Sequence, residues 1–288
     1  HTEAIVPTVM DAMEQAGATW DDLSAIAVTQ GPGLVGALVV GLAFAKGLAF
    51  ATGLPLIGVN HLEGHLYANR YVAPDIQTPF IALLVSGGHT MLVHVKDWGD
   101  YEVIGSTKDD AVGEAFDKVA KALGLGYPGG PIISCYAAQG NPEAIDFPRA
   151  MMHSGDLQFS LSGLKTAVVT YINKKNAAGE AVDIPDLAAS FQAAVVDVQT
   201  HKAWKACQMT GCKTLCIGGG VASNPALRAS LADYLGRRGV RVVMPDAHAC
   251  TDNATMIASC AIDLYNEGLF EDLTADVIAH MPLRSKGE

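Results

Sequence analysis

The chain has 288 residues, half of them apolar, with 30 glycines and a net charge of −11. That length and composition suffice for a large core, in one domain or in two lobes. The acidic balance argues against a free-standing, sequence-independent nucleic-acid binder, which draws on clustered Lys and Arg, but leaves room for a protein whose partners supply basic surface.

Residues 2–17 have apolar positions at a helical period, with Gly17 as the stop. Residues 23–29 read as a strand running into Gln30-Gly31-Pro32-Gly33, a turn that opens a helix over 34–50. This helix carries one charge, Lys46, and is expected to be buried. At this length it falls short of the roughly 20 apolar residues that a membrane span requires. A strand at 56–59 and a helix from His61 to about Tyr71 follow, an order that implies parallel pairing through crossover helices. The first strands expected of such a lobe are missing, and the chain opens on His1 as a fragment would.

Residues 72–79 read as a linker. Beyond it the sequence predicts strands at 80–85, 90–95 and 101–107, then a helix over 111–123 capped by Asp109 or Asp110. Residues 124–154 are rich in Gly and Pro and read as irregular. Helices are expected at 164–174 and 185–209, a strand at 213–217, a helix at 224–236, a strand at 240–244 and a helix at 252–265. Three hairpin strands followed by alternating helices and strands describe a ribonuclease-H-like lobe. The expected division is 1–76, the remainder of a first lobe, and 77–288, a second lobe whose last helix returns towards the first.

Chemistry concentrates in a few stretches. In His61-Leu62-Glu63-Gly64-His65 two imidazoles stand one helical turn apart on one face, suited to chelating a transition metal, or are two ordinary histidines. Asp252 is either an N-cap or the carboxylate that completes such a set. Ser86-Gly87-Gly88-His89-Thr90 is a hairpin loop or a backbone nest for phosphate or carbonyl oxygen. Gly218-Gly219-Gly220 before Asn224 joins a strand to a helix, where glycines permit close approach of a nucleotide. Asn224 is there a helix cap or a ligand contact. Asp110, Glu114 and Asp117 share one helical face, either solvated or reaching a ligand. Ser160, Ser162 and Lys165 form a phosphate-contact set or simple N-caps. The six cysteines, none in C-x-x-C, read as buried free thiols in a reducing compartment rather than a zinc or disulfide framework.

Taken in order, G-P-G-L-V-G-A-L, H-L-E-G-H, L-V-S-G-G-H-T, D-D-A-V-G-E-A-F-D-K, Y-P-G-G-P, F-S-L-S-G-L-K-T and G-G-G-V-A-S-N span the chain. Together they resemble the bacterial TsaD family, formerly the glycoprotease or O-sialoglycoprotein endopeptidase family. The resemblance implies an α/β fold of the two-lobed actin-like, sugar-kinase and Hsp70 type, here without the opening strands of its first lobe, which the natural protein is expected to have. It implies transfer of a threonylcarbamoyl group from threonylcarbamoyl-AMP to N6 of adenosine 37 in tRNAs reading codons that begin with A. His61, His65 and Asp252 would hold one metal, Fe(II) or Zn(II). Leu84, Val85, Ser86, Gly87, Gly88, Asp117, Gly130 and Asn224 would line the pocket for the adenylate, or for ATP or ADP. No side chain is assigned as the catalytic group beyond the metal set. The implied partners are tRNA, a TsaB-type paralogue, a TsaE-type ATPase and an upstream synthase that makes the adenylate, with a homodimer when alone, a cytoplasmic location and no membrane.

Three rivals stand beside this reading. A metallopeptidase of H-E-x-x-H type places its glutamate beside the metal, whereas Glu63 lies about 200° around the helix from His61. A non-catalytic actin-like scaffold dimerising through helix 34–50 has no need of a metal set. An ATP-hydrolysing kinase or chaperone would share the pocket, but nothing in the sequence marks an acceptor-sugar or peptide site.

Overall fold

The computed structural model describes residues 1–283, which form two compact units. One comprises residues 1–71 and 253–283, the other residues 72–252. The division therefore falls after Tyr71 rather than at 76, and the last helix belongs with the first unit.

In the first unit, α1 (Ile5–Ala16) ends at Gly17, whose left-handed φ of 62° lets its N–H reach back to the last turn. A 3-10 turn at Trp20–Asp22, closed by reciprocal bonds between Thr19 and Asp22, delays the strand β1 to Ile26–Gly31. It pairs in parallel with β2 (Leu56–Asn60), and α2 (Val35–Thr52) makes the crossover. The expectation of a buried α2 is corrected. Only Leu38, Leu42, Ala45 and Ala49 are buried, one stripe at helical spacing, because the two-stranded sheet covers a single face. Leu34 and Phe50 are 82% and 79% exposed. With 18 residues, α2 is also long and apolar enough to cross a membrane by length and composition, contrary to the shorter helix expected from the sequence.

Helix α3 (His61–Val72) follows β2, and α10 (Ala254–Asn266) packs on β1 and β2. Beyond α10 the chain returns along the sheet. Glu271 bridges to Leu56, Ile278 N–H donates to the Gln30 carbonyl, and Asn60 Nδ2 donates to the Pro282 carbonyl.

The second unit is built on a five-stranded sheet in the order β5-β4-β3-β6-β7. Strands β3 (Phe80–Val85), β4 (Thr90–Asp97) and β5 (Asp100–Ser106) are antiparallel, whereas β6 (Thr214–Gly218) and β7 (Arg241–Val243) run parallel to β3. Every residue of β3 is buried, as befits a central strand covered on both faces. Around the sheet lie α4 (Val112–Ala122), α5 (Gly129–Ala137), α6 (Ser162–Ala177), α7 (Ile184–Thr210), α8 (Pro225–Gly236) and the short α9 (Ala247–Cys250). Phe116 of α4 meets Phe191 of α7 edge to face, ring centroids 5.0 Å apart.

Two local expectations fail here. The stretch 124–154 contains α5, because Gly129 and Pro131 sit in the first helical turn, where a missing N–H costs nothing, and packing on α4 and α7 supplies the rest. Neither Asp109 nor Asp110 caps α4. The cap residue is Ala111, and the first helical N–H groups of Val112 and Gly113 are taken by Thr90 Oγ1 and the Ser86 carbonyl instead. Of the cysteines, Cys135 is exposed and the other five are buried free thiols.

Candidate functional site

Asn60 starts α3 by accepting the Leu62 and Glu63 N–H groups on its Oδ1, so His61 and His65 fall in the first turns of a capped helix. Their ring centroids are 4.8 Å apart, at 77°, and His65 is almost wholly buried. Between them, Gly64 lets α10 come close, for a Cβ there would meet Ile257 Cδ1 at 2.9 Å and Met256 Cγ at 3.3 Å. The same pair of helices is tied further along by Asp263, whose Oδ2 accepts Tyr67 Oη at 2.8 Å and Arg70 Nη1 at 2.6 Å. Burial, then the bond to Asp263, pushes the Tyr67 phenol far up, so it remains a donor.

Asn253, not Asp252, caps α10, its side chain accepting the Met256 N–H. Asp252 therefore precedes the helix. One ligand atom from each of His61, His65 and Asp252 lies within 4.8 Å of the others. Metal bonds of about 2.1 Å span some 4 Å across an ion, the scale of this cluster. Two neutral imidazoles and a carboxylate suit a single divalent ion of the zinc or iron kind.

The second unit contains a cavity of about 560 Å³, within the size range of small-molecule sites. Gly87, Asp117, Gly130 and Asn224 line it, all expected from the sequence. Glycines build its walls in two ways. At Gly113 an added Cβ would meet Gly87 Cα at 2.7 Å, and at Gly129 it would meet Asp117 Cα at 2.7 Å, so these two hold main chains together. At Gly87, Gly130 and Gly220 an added Cβ meets nothing within 4 Å, leaving main chain open to a ligand. Gly219 has φ 90° and sits against the Val85 carbonyl, which turns the chain from β6 towards α8.

Asp117 Oδ1 accepts the Gly129 N–H at 2.7 Å, fixing the start of α5. Asn224 caps α8 by accepting the Leu227 N–H on Oδ1 and donates from Nδ2 to Gln192 Oε1 at 2.7 Å. Asn224 is thus a cap at a helix start that also borders the cavity. Leu84 and Val85 are buried in β3, and Ser86 closes the hairpin, its Oγ accepting the His89 N–H. These three and Gly88 are not among the lining residues, whereas Ser134, Ser223 and Thr251 are. Nothing in the sequence singled out Ser134 or Thr251, which α5 and the segment after α9 bring to the wall.

The acidic and hydroxyl motifs resolve into a clasp. Asp109 accepts Ser160 Oγ, Ser162 Oγ and the N–H groups of Leu161 and Ser162. Burial opposes its charge most strongly, but these four bonds together hold it at about 2. Asp110 pairs with Lys118 and Lys165 at 2.7 Å each, and Glu114 pairs with Lys118. Ser160, Ser162 and Lys165 thus fasten α6 to the start of α4. None of them caps α6, whose N-cap residue Leu161 has no side-chain cap bond, and their polar groups bond Asp109 and Asp110.

A profile of the TsaD family, tRNA N6-adenosine threonylcarbamoyltransferase, matches residues 1–259. The chain is 52% identical over 283 residues to the tRNA N6-adenosine threonylcarbamoyltransferase of Clostridium botulinum (strain Kyoto / Type A2), covering 98% of this chain and 83% of that protein. It is 55% identical over 261 residues to that of Clostridium perfringens (strain SM101 / Type A), covering 91% and 77%. Among solved structures, T. kodakarensis HypF superposes with a TM-score of 0.63 at 14% identity, over 85% of this chain and 41% of that one. Component A of (R)-2-hydroxyglutaryl-CoA dehydratase from Acidaminococcus fermentans gives 0.52 at 13%, over 91% and 83%. Such distant likenesses speak to the fold alone, and with the family they place the chain in the actin-like fold class in general terms. By the extent of the profile match and the identity to full-length relatives, the chain belongs to the TsaD family of tRNA N6-adenosine threonylcarbamoyltransferases and is an enzyme.

Proposed function

We propose that this chain transfers the threonylcarbamoyl group of threonylcarbamoyl-AMP to N6 of adenosine 37 in tRNAs reading codons that begin with A. The observation that carries this is the family match across residues 1–259, and the glycine-walled cavity supports it. The N6 lone pair attacks the carbamoyl carbon, an N–C bond forms, the C–O bond to phosphate breaks, and AMP leaves with its electron pair. One N6 proton is released.

The cavity's own residues bind and orient the adenylate. Asp117 is anchored on one oxygen by Gly129 and accepts hydroxyl or amine hydrogens of the nucleotide with the other. The start of α8 beside Asn224 favours the phosphate, and Gly87, Gly130 and Gly220 admit it close to main chain. Leu84, Val85, Ser86 and Gly88 belong to this pocket by family resemblance, beside Gly87, which lines it. A divalent ion on His61, His65 and Asp252, Fe(II) or Zn(II), would supply Lewis-acid polarisation of the carbamoyl oxygen. Positioning and charge stabilisation then supply most of the rate.

The proposal includes two duplicated ribonuclease-H-like lobes, a cytoplasmic setting, and tRNA, a TsaB-type paralogue and a TsaE-type ATPase as partners. The strand order of the second unit supports the first point. The apolar outer stripe of α2, with Leu34, Val35, Val39 and Phe50 exposed, supports a docked paralogue. The test is transfer in vitro with synthetic adenylate, a tRNA transcript and the partner proteins, read by nucleoside mass spectrometry. Absence of modified adenosine sinks the activity, and equal yields from the unaltered chain and Asp252→Ala sink the metal-assisted step.

A further inference from the structure

The chain's −11 charge means that any affinity for a polyanion has to be local, and one surface of the second unit gathers several cations. On α7, His201, Trp204 and Lys205 lie within one turn of each other. The loop 151–156 folds onto this turn, with Met151 at φ 56° and Gly155 at φ 86°. Lys205 Nζ donates to the Gly155 carbonyl at 2.6 Å, and the fully buried Lys202 donates to Ser154 Oγ and the Asp156 carbonyl at 3.1 Å each. His153 stands 5.4 Å from His201, ring to ring. On the other side of Trp204, the Arg238 guanidinium lies 3.5 Å from the Tyr234 ring centroid and 5.6 Å from that of Trp204.

The negative charges here are already engaged. Asp156 accepts Ser154 Oγ and the Gln158 N–H and lies 3.5 Å from Lys202 and 3.9 Å from Lys108. Asp233 pairs with Arg237 at 2.6 Å. By contrast, Lys205 and Arg238 are bonded to neutral carbonyls, Gly155 and Tyr234, and among the described residues neither is paired with a carboxylate. Lys108, Arg237, Lys205 and Arg238 thus lie near Asp156 and Asp233, with Lys202 buried beneath them. Burial first, and then His153, Lys205 and Lys202, hold His201 below the usual imidazole range.

We infer that this face, centred on Lys205 and Arg238 with Lys108 at its edge, docks the phosphate backbone of the RNA substrate. Each cation keeps donors to spare: two on Lys205, and most of the five on Arg238, whose plane is held by aromatic rings. Cations interleaved with Trp204, Tyr234 and two histidines suit a sugar–phosphate chain with exposed bases better than an acidic protein surface. The inference rests on the proposed tRNA substrate but concerns a surface that the cavity and the metal residues do not include.

The probe is a fluorescent, unmodified tRNA transcript titrated with the full chain across a salt series. The double variant Lys205→Gln/Arg238→Gln is expected to bind at least about tenfold more weakly and to flatten the log Kd against log salt slope by about two, one for each cation withdrawn from a phosphate. Lys108→Gln, at a side chain 57% exposed, is expected to flatten it by about one and keeps the test valid if the double variant unfolds. Lys205→Arg, which retains the charge, restores binding. Unchanged affinity and slope in Lys108→Gln and the double variant would overturn the inference, as would binding of polyglutamate but not of the transcript. Transfer activity separates the two readings. Modified adenosine made at unaltered KM for tRNA by the variants removes the docking face but leaves the function, whereas slope loss without any modified adenosine does the reverse.

Discussion

Gly129 and Gly130 are adjacent, both open α5, and are predicted to respond to alanine in opposite ways. An alanine Cβ at 129 would stand 2.7 Å from Asp117 Cα, 2.7 Å from the Phe116 carbonyl and 2.8 Å from Ala120 Cβ. Ordinary contact begins at 3.4 Å, so α5 must retreat by about 0.7 Å, and two of the three obstacles are main chain that no rotamer can relieve. The same retreat stretches the 2.7 Å bond from the Gly129 N–H to Asp117 to about 3.4 Å, where it loses most of its strength. Overpacking of about 1–3 kcal/mol and loss of a charge-assisted bond of about 1.5–3 kcal/mol are offset by less than about 1 kcal/mol of helix propensity. The expected cost of Gly129→Ala is therefore about 1.5–6 kcal/mol, with weaker adenylate binding because the anchor of Asp117 is weakened. Gly130→Ala meets nothing within 4 Å and should leave stability unchanged or up to about 1 kcal/mol higher, while its methyl narrows the cavity and weakens adenylate binding. Urea unfolding and calorimetric titration with a non-hydrolysable adenylate measure both. Equal unfolding midpoints for the two variants would refute the close-packing argument.

His65→Ala should abolish stoichiometric zinc or iron in the purified protein, measured by elemental analysis, and a full metal complement in that variant would exclude the triad. Gly64→Val leaves all three ligands in place but drives methyl groups into Ile257 and Met256; zinc affinity should fall at least about tenfold, as when the support of a metal ligand is disturbed. Asp109, held at about 2, contributes stability that is fully present above the unfolded carboxylate value near 3.9 and is lost as pH falls through about 2. Asp109→Asn should therefore be less stable at neutral pH and show a flatter acid limb between about pH 4 and 2 in thermal melts; parallel curves would contradict the clasp. Tyr67→Phe removes the hydroxyl bond to Asp263 and should lower stability by about 1 kcal/mol while leaving metal content unchanged.

Much of the protein was legible before its structure. A continuous apolar run located β3, helical patterns located α7 and α8, and the seven motifs led to the family, because all are written in contiguous residues. The spacing of His61 and His65 placed two imidazoles on one helix face, since helix geometry is local. Glycine at 64, 113, 129 and 219 was visible as a residue but not as a point of close packing. Each of these matters for the chain it allows to approach, and that chain is distant in sequence. The same limit explains α2, whose uniform apolarity read as burial although a two-stranded sheet covers only one stripe of it. It also explains Asp109, Ser160 and Ser162, which looked like caps and phosphate ligands and instead bond one another across some fifty residues. Whether Asp252 capped a helix or stood ahead of it beside the two histidines hung on a one-residue shift of the α10 cap to Asn253. By itself the sequence determined most of the elements, the family and the pairing of His61 with His65 on one helix face, because these depend on local order. Tertiary structure alone decided which polar groups spend their bonds on one another and which face a ligand, because that choice is made by through-space neighbours.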